Sequence, residues 1–266
     1  VAAKLTDVNG EHEPMSDAVP VGYCEARLEP LSDYLGNIEF VSSSQLRRFA
    51  RSGLTGLQLP DAGVVTGTVM GEAFHALVLE PEAFERGYLV LLDAAGDQHA
   101  VSEQGLMDRT WLDAWQWSAL CGARNALLAC KQAPLADWLA NGRKELSIYW
   151  RDEEGIGWKA RPDCLAPGIV FDLKTTSDCR PEAFRRTRQR FDYDLQAAHY
   201  VETVAHLTGQ EPRFAFVAVE LNAPYAVWVH ELCGSEIDTA RARLGELKKA
   251  YIEASRAAGT GTTSQE

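Results

Sequence analysis

The segment GWKARPDCLAPGIVFDLKTTSD, residues 157–178, constrains this chain more than any other. Residues 168–173 form an apolar run, yet Asp172 interrupts it near its end and Lys174 follows it at once. Asp and Lys are rarely buried without a partner or a task. A strand alternates its side chains, so Asp172 and Lys174 point to one face and Leu173 to the other. Asp163 stands nine positions before Asp172. It ends the preceding strand across a short turn, so the two carboxylates can approach one point. Two readings meet this pattern. One is an ion-paired sheet face. The other is a set of oxygen ligands for a hard divalent cation such as Mg²⁺, with the Leu173 carbonyl as a further ligand and a lysine beside a bound water or phosphate.

The flanking periodicities indicate the fold class. Leu146, Ile148 and Trp150 alternate with polar or small residues, DEEG turns, Trp158 and Ala160 alternate again, APG turns, and IVFDLKTT follows. This predicts a three-stranded antiparallel meander. Residues 181–209 read as one or two helices ended by Gly209, RFAFVAVEL and YAVWVHEL as two paired strands, and the segment after Cys233 as a last helix capped near Ser235. Upstream, FVSSSQLRRFARSG starts a helix capped by Ser43 or Ser44. Residues 67–79 form a helix with small residues Gly67, Gly71 and Ala73 on one side, broken by Pro81. YLVLLD is a short strand. Residues 103–141 read as helices separated by bends, with Trp111, Trp115, Leu120, Leu127 and Leu128 as core. Trp111, Trp115 and Trp117 also have the chemistry of a base-stacking platform, core being the plainer reading. The order predicts an α/β (α+β) class, a central mixed β-sheet flanked by helices. Residues 1–37 are expected to be a loosely structured leader with a short strand or turn near 21–28, residues 38–258 one domain with a helical insertion at 92–145, and residues 259–266 a flexible tail.

With 266 residues, 46% of them hydrophobic, the chain can bury a sizeable core. It has no apolar run long enough for a membrane helix and no secretory pattern at its start, so no membrane association is expected. Six scattered cysteines without a CxxC pair argue against a zinc ribbon or an iron–sulfur motif and suit reduced thiols in a cytoplasmic protein. The net charge of −12 argues against bulk electrostatic capture of nucleic acid. Local basic runs run against that average: Arg47, Arg48 and Arg51, then Arg180, Arg185, Arg186, Arg188 and Arg190 just after the D-x-K strand. They are either ion-paired helix faces or a track for phosphates.

The pieces SSSQLRRFARS, GTVMGEAFHALVLEPEAF, WKARPD, IVFDLKTTSD and DLQAAHY occur in this order over residues 42–200. Together they resemble the PD-(D/E)xK nuclease superfamily, and within it the RecE-type exodeoxyribonuclease VIII family, related to the λ-exonuclease fold. The resemblance implies a restriction-endonuclease-like core. It implies that Asp163 and Asp172 ligate metal, that Lys174 positions or activates the attacking water, and that His75 is a third ligand or organises the metal site. It also implies that Gln196 and Tyr200, one helical turn apart, hold the scissile phosphate or the lysine. Glu72 lies on roughly the same helix face as His75, whereas His199 points away from Gln196 and Tyr200. The implied cofactor is Mg²⁺, with Mn²⁺ able to substitute. The implied activity is 5′-to-3′ degradation of linear double-stranded DNA from its ends by a ring-shaped homotetramer. A single-strand-annealing protein is the implied partner, and a bacterial or phage-encoded cytoplasmic protein the implied setting. The alternatives are a structure-specific endonuclease of the same superfamily and a non-catalytic module that binds DNA ends or protein. The complete set of Asp163, Asp172 and Lys174 argues against the last.

Overall fold

A computed structural model describes residues 4–5, 23–58, 69–91 and 109–260. Its first elements are β1 (Lys4–Leu5), β2 (Cys24–Arg27), α1 (Leu31–Gly36), β3 (Phe40–Val41), α2 (Ser43–Ser52) and α3 (Thr55–Gln58). Then come α4 (Val69–Leu79), α5 (Pro81–Gly87), β4 (Tyr88–Val90), β5 (Thr110–Leu112), α6 (Ala114–Ala129) and α7 (Leu135–Asn141). Next are β6 (Arg143–Lys144), β7 (Ser147–Arg151), β8 (Gly157–Ala160), β9 (Cys164–Ala166) and β10 (Ile169–Thr176). The chain ends with α8 (Pro181–Phe191), α9 (Tyr193–Thr208), β11 (Arg213–Glu220), β12 (Val227–Glu231) and α10 (Gly234–Thr260). The start of the α4 region at Gly67, the first part of the expected insertion and most of the expected tail lie outside the described residues.

The strands form two five-stranded sheets, ordered β1-β2-β7-β8-β3 and β12-β11-β10-β9-β6, and a parallel pair β4-β5. The expected meander is therefore split. β7 and β8 pair antiparallel, Trp150 opposite Trp158, as the alternation predicts. The third strand belongs to the other sheet. Pro162 has no N–H to continue a ladder, and at this point the chain leaves β8. It re-enters as β9, turns at Gly168 with φ of 74°, and pairs β9 with β10 through Cys164 and Phe171. On its other side β10 runs parallel to β11, which pairs antiparallel with β12. This makes the sheet mixed and β10 a central strand.

Helices cover both faces of β10, which explains its nearly continuous apolar run. Ile169, Phe171 and Leu173 pack with Leu120, Leu127 and Leu139 of α6 and α7, and with Phe74 of α4. Val170 faces the other way, toward Ala197, Val201 and Val204 of α9. Asp172 shares the face of Val170 and so points at α9. The helix carrying His75 lies on the opposite layer and stops at Pro81, as expected.

Three sequence expectations change. The cap of α2 is Ser42, which forms a capping box with Gln45. Trp111, Trp115 and Leu128 are 46%, 66% and 38% exposed and are not core. The buried stripe of α6 is Ala119, Leu120, Ala123 and Leu127; Trp115 precedes it, Leu128 stands one residue off it, and Trp111 points away from the buried Leu112. Trp117 stacks on Phe84. Finally, the stretch before residue 38, expected to be loose, contributes strands: β1 pairs with β2, and β2 falls within the short strand or turn expected near 21–28. β2 pairs with β7, and the buried Lys159 ammonium donates to the carbonyls of Tyr34 at 2.6 Å and Asn37 at 2.7 Å.

His199, on α9, is a structural histidine. It is fully buried, one ring nitrogen lies 2.9 Å from the Lys159 carbonyl, and burial pushes its pKa down to about 4, with Lys248 adding repulsion. A histidine whose folded pKa is depressed loses stability for the fold as pH drops below its unfolded value. Between pH 7 and pH 5 this one group should remove about 2 kcal/mol. Urea denaturation of wild type and His199→Gln at the two pH values checks this; the variant should lack that part of the slope.

Candidate functional site

The site forms in two halves on either side of β10. In the first half, Asp172 is fully buried. Gln196 donates from Nε2 to Asp172 Oδ1 at 2.8 Å and to the Tyr200 hydroxyl oxygen at 3.0 Å. The Tyr200 hydroxyl in turn donates to the Arg161 carbonyl at 3.1 Å. Lys174 Nζ contacts Asp172 Oδ2 and sits over the Tyr193 ring, 4.8 Å from its centroid. Burial by itself would lower the Lys174 pKa; the Asp172 and Asp163 carboxylates outweigh it and hold the group above its ordinary value. Lys174 is therefore an ammonium, suited to orienting a water or meeting phosphate charge rather than to removing a proton.

In the second half, the Leu173 N–H donates to Asp163 Oδ2 at 2.6 Å. His75 Nδ1 lies 3.6 Å from the same oxygen, and the Leu173 backbone lies near the ring. Burial first, and then Lys174, push the His75 pKa down to about 4, so the ring is neutral and able to act as a ligand. A residue that sequence reasoning missed completes this half. Glu145, between β6 and β7, has φ of 52°, and its N–H donates to the Asp163 carbonyl at 3.2 Å. One ligand atom each from His75, Glu145 and Asp163 lie within 4.8 Å of one another. Burial pushes the Glu145 pKa up to about 7 against the pull of Arg161, which donates to its Oε2 at 2.7 Å.

Of the residues expected to hold metal, His75 and Asp163 lie together, and Glu145, which the sequence did not single out, joins them. Asp172 adjoins this cluster, with its oxygens engaged by Gln196 and Lys174. The donor chemistry fits a divalent cation: one imidazole, carboxylates and a backbone carbonyl. Charge points the same way. Burial, and after it the Asp172 and Glu145 carboxylates, raise the Asp163 pKa well above its usual range, which marks a cluster short of positive charge.

Three clefts border Glu145, one of them, of about 580 Å³, also lined by Glu80 and Arg161; the other two reach Lys174. Of these two, the first, of about 380 Å³, is lined by Arg47, Arg48, Arg51, Lys174, Gln196 and Tyr200 among others, and the second, of about 510 Å³, by Glu72, His75, Glu80, Tyr88 and Glu145. Arg47 donates to the Phe191 carbonyl at 3.0 Å and to Ser44 Oγ at 3.2 Å. The later arginine run lies elsewhere; none of its members lines any of the three clefts. Arg180 pairs with Asp178 and Arg185 with Glu182, while Arg188 is a buried link to Asp194 and Glu236. Arg186 is exposed on α8, and exposed Arg190 lies over the Phe191 ring. Arg180, Arg185 and Arg188 are thus ion-paired, the first two on the surface.

A mixed sheet whose central strand carries Asp-x-Lys, with a second aspartate delivered from the neighbouring strand and helices on both faces, is the PD-(D/E)xK nuclease fold. This chain belongs to the family described as PDDEXK-like domain of unknown function (DUF3799), which matches residues 42–260. The crystal structure of a "Putative exonuclease" from Eubacterium rectale is similar in fold, with a TM-score of 0.54 and 12% identity over 83% of this chain and 84% of that one. A comparison with functionally curated proteins found no match. Among the described residues, no helix is long and apolar enough to cross a membrane.

Proposed function

We propose that this protein is a divalent-metal-dependent deoxyribonuclease that degrades linear double-stranded DNA from its 5′ ends, using Mg²⁺ or, in its place, Mn²⁺. The observation that carries the reading is the cluster of half-buried His75 and Glu145 with buried Asp163, short of positive charge and beside the Asp172–Lys174 pair, with Glu145 and Lys174 lining a cleft that also carries Arg47, Arg48 and Arg51. When bound, the cation would polarise a phosphate and lower the pKa of a bound water. His75, Glu145, Asp163 and the Leu173 carbonyl would hold it. Asp172 fixes the Lys174 ammonium, which meets the charge of the phosphate and orients the water. Gln196 and Tyr200 brace Asp172. Buried Gln196 Oε1 has no hydrogen-bond partner among the described residues and can accept from a bound water. Arg47, Arg48 and Arg51 contact the DNA backbone without regard to base identity.

The 5′ polarity, a ring-shaped homotetramer and a single-strand-annealing partner follow from the resemblance to the RecE-type family. The word exonuclease in the description of the Eubacterium rectale protein supports the end-directed part of the reading. The test is digestion of duplex DNA in Mg²⁺, comparing linear DNA labelled at the 5′ end, linear DNA labelled at the 3′ end and a closed circle. The expected result is early release of the 5′ label and an intact circle. Cleavage of the circle would establish the endonuclease alternative, early release of the 3′ label would overturn the polarity, and no cleavage of any substrate would favour a binding module.

A further inference from the structure

We infer that Arg161 is a positioning residue that holds the two halves of the site in register and so sets the cation affinity of the His75–Glu145–Asp163 cluster. The inference rests on the metal-binding reading above. The Arg161 side chain is buried where several elements converge. Its Nε donates to Glu145 Oε2 at 2.7 Å, and Nη1 donates to the Glu29 carbonyl at 2.8 Å and to Ser147 Oγ at 3.1 Å. Nη2 lies 3.5 Å from Glu80 Oε1. Each arm reaches a part of the site. Glu80 follows directly on α4, and its N–H donates to the Ala76 carbonyl at 3.0 Å, so this arm fastens the end of the helix that carries His75. The Nε arm holds one oxygen of Glu145 and leaves the carboxylate a second to offer. The backbone carbonyl of Arg161 accepts from Tyr200, which leads through Gln196 to Asp172. Pro162, with its fixed φ, connects Arg161 to Asp163.

One residue therefore touches Glu145, the end of the His75 helix, the chain leading to Asp163, and the brace of Asp172. An ion pair that served the fold alone would need one carboxylate. This guanidinium distributes its donors over three directions at once, which its planar fork allows and a lysine ammonium does not. Groups that orient ligands from behind in this way are worth about 10- to 100-fold in metal affinity when removed.

The test uses the full chain and reads free Mn²⁺ by electron paramagnetic resonance during titration, with thermal melting in EDTA as a separate measure of folding. Arg161→Lys should keep a folded chain and lower Mn²⁺ affinity at least tenfold. Ser147→Ala removes one acceptor of the guanidinium without changing charge, and should lower affinity about two- to tenfold. A folded Arg161→Lys protein with wild-type Mn²⁺ affinity, lower melting temperature or not, overturns the inference. Should Arg161→Lys fail to fold, wild-type affinity in Ser147→Ala overturns it. A wild-type chain that binds no Mn²⁺ is a different failure, that of the metal reading itself.

Discussion

Asp163→Asn should abolish Mg²⁺-dependent cleavage, by about a thousandfold or more, while the metal-free variant melts no lower than the wild type. The two effects share one cause. Asp163 is buried among Asp172 and Glu145, and its pKa is raised because the fold disfavours its charge. An acid whose folded pKa lies above its unfolded value binds its proton more tightly in the folded chain. Its stability contribution is therefore lost as pH rises above the unfolded carboxylate pKa. At neutral pH the wild-type chain carries this penalty, and an asparagine does not. The amide oxygen can still accept from the Leu173 N–H, so the local hydrogen bond survives the change. The same neutral side chain is a poor ligand for a hard cation. Thermal melting in EDTA at pH 8, beside an assay on labelled linear duplex, checks both halves. A variant that loses activity and also melts far below the wild type would mean that Asp163 is a structural acid.

Lys174→Met should move stability the other way. Asp172 is fully buried, and its charge is met by the Gln196 amide and the Lys174 ammonium. Methionine has a comparable apolar stem, so no large cavity opens; what is lost is the cation. Removing one partner of a buried ion pair costs about 3–5 kcal/mol, because the other charge stays behind. Activity should fall about 100-fold or more through loss of the group aimed at the phosphate. Divalent cation should return part of the lost stability, since a ligand that binds only the folded chain stabilises it. Urea unfolding with and without Mn²⁺ measures this. Equal stability of variant and wild type in EDTA would show that the Asp172–Lys174 contact is not a buried pair of consequence.

The parts of this site that could be read in the sequence are those set by local rules. Strand alternation puts Asp172 and Lys174 on one face, and helical spacing puts Gln196 and Tyr200 one turn apart. Glu145 followed no such rule. It lies in NGRKELSIYW, at the head of a strand of the other sheet, and reaches the cluster by a left-handed backbone turn and a bond from its N–H to the Asp163 carbonyl. The split of the meander was equally hidden, because β8 and β10 are short apolar segments separated by turn residues, as neighbouring strands of one sheet would be. Pro162 was the one residue that argued for a break there. The arginine runs looked alike in sequence and separated only through tertiary partners. Arg188 finds Asp194 on α9 and Glu236 on α10, whereas Arg47 and Arg48 line the cleft. The exposure of Trp115 depends on where the packed stripe of α6 begins, which no count of tryptophans reveals.

In the proposed mechanism His75, Glu145 and Asp163 form one cation site beside Asp172 and Lys174. Anomalous diffraction from crystals grown with Mn²⁺ tests it most directly. The expected result is a peak within coordination distance of all three side chains and of the Leu173 carbonyl, absent in Asp163→Asn. A strong peak elsewhere, or no peak in crystals of a chain that cleaves DNA in Mn²⁺, would contradict it.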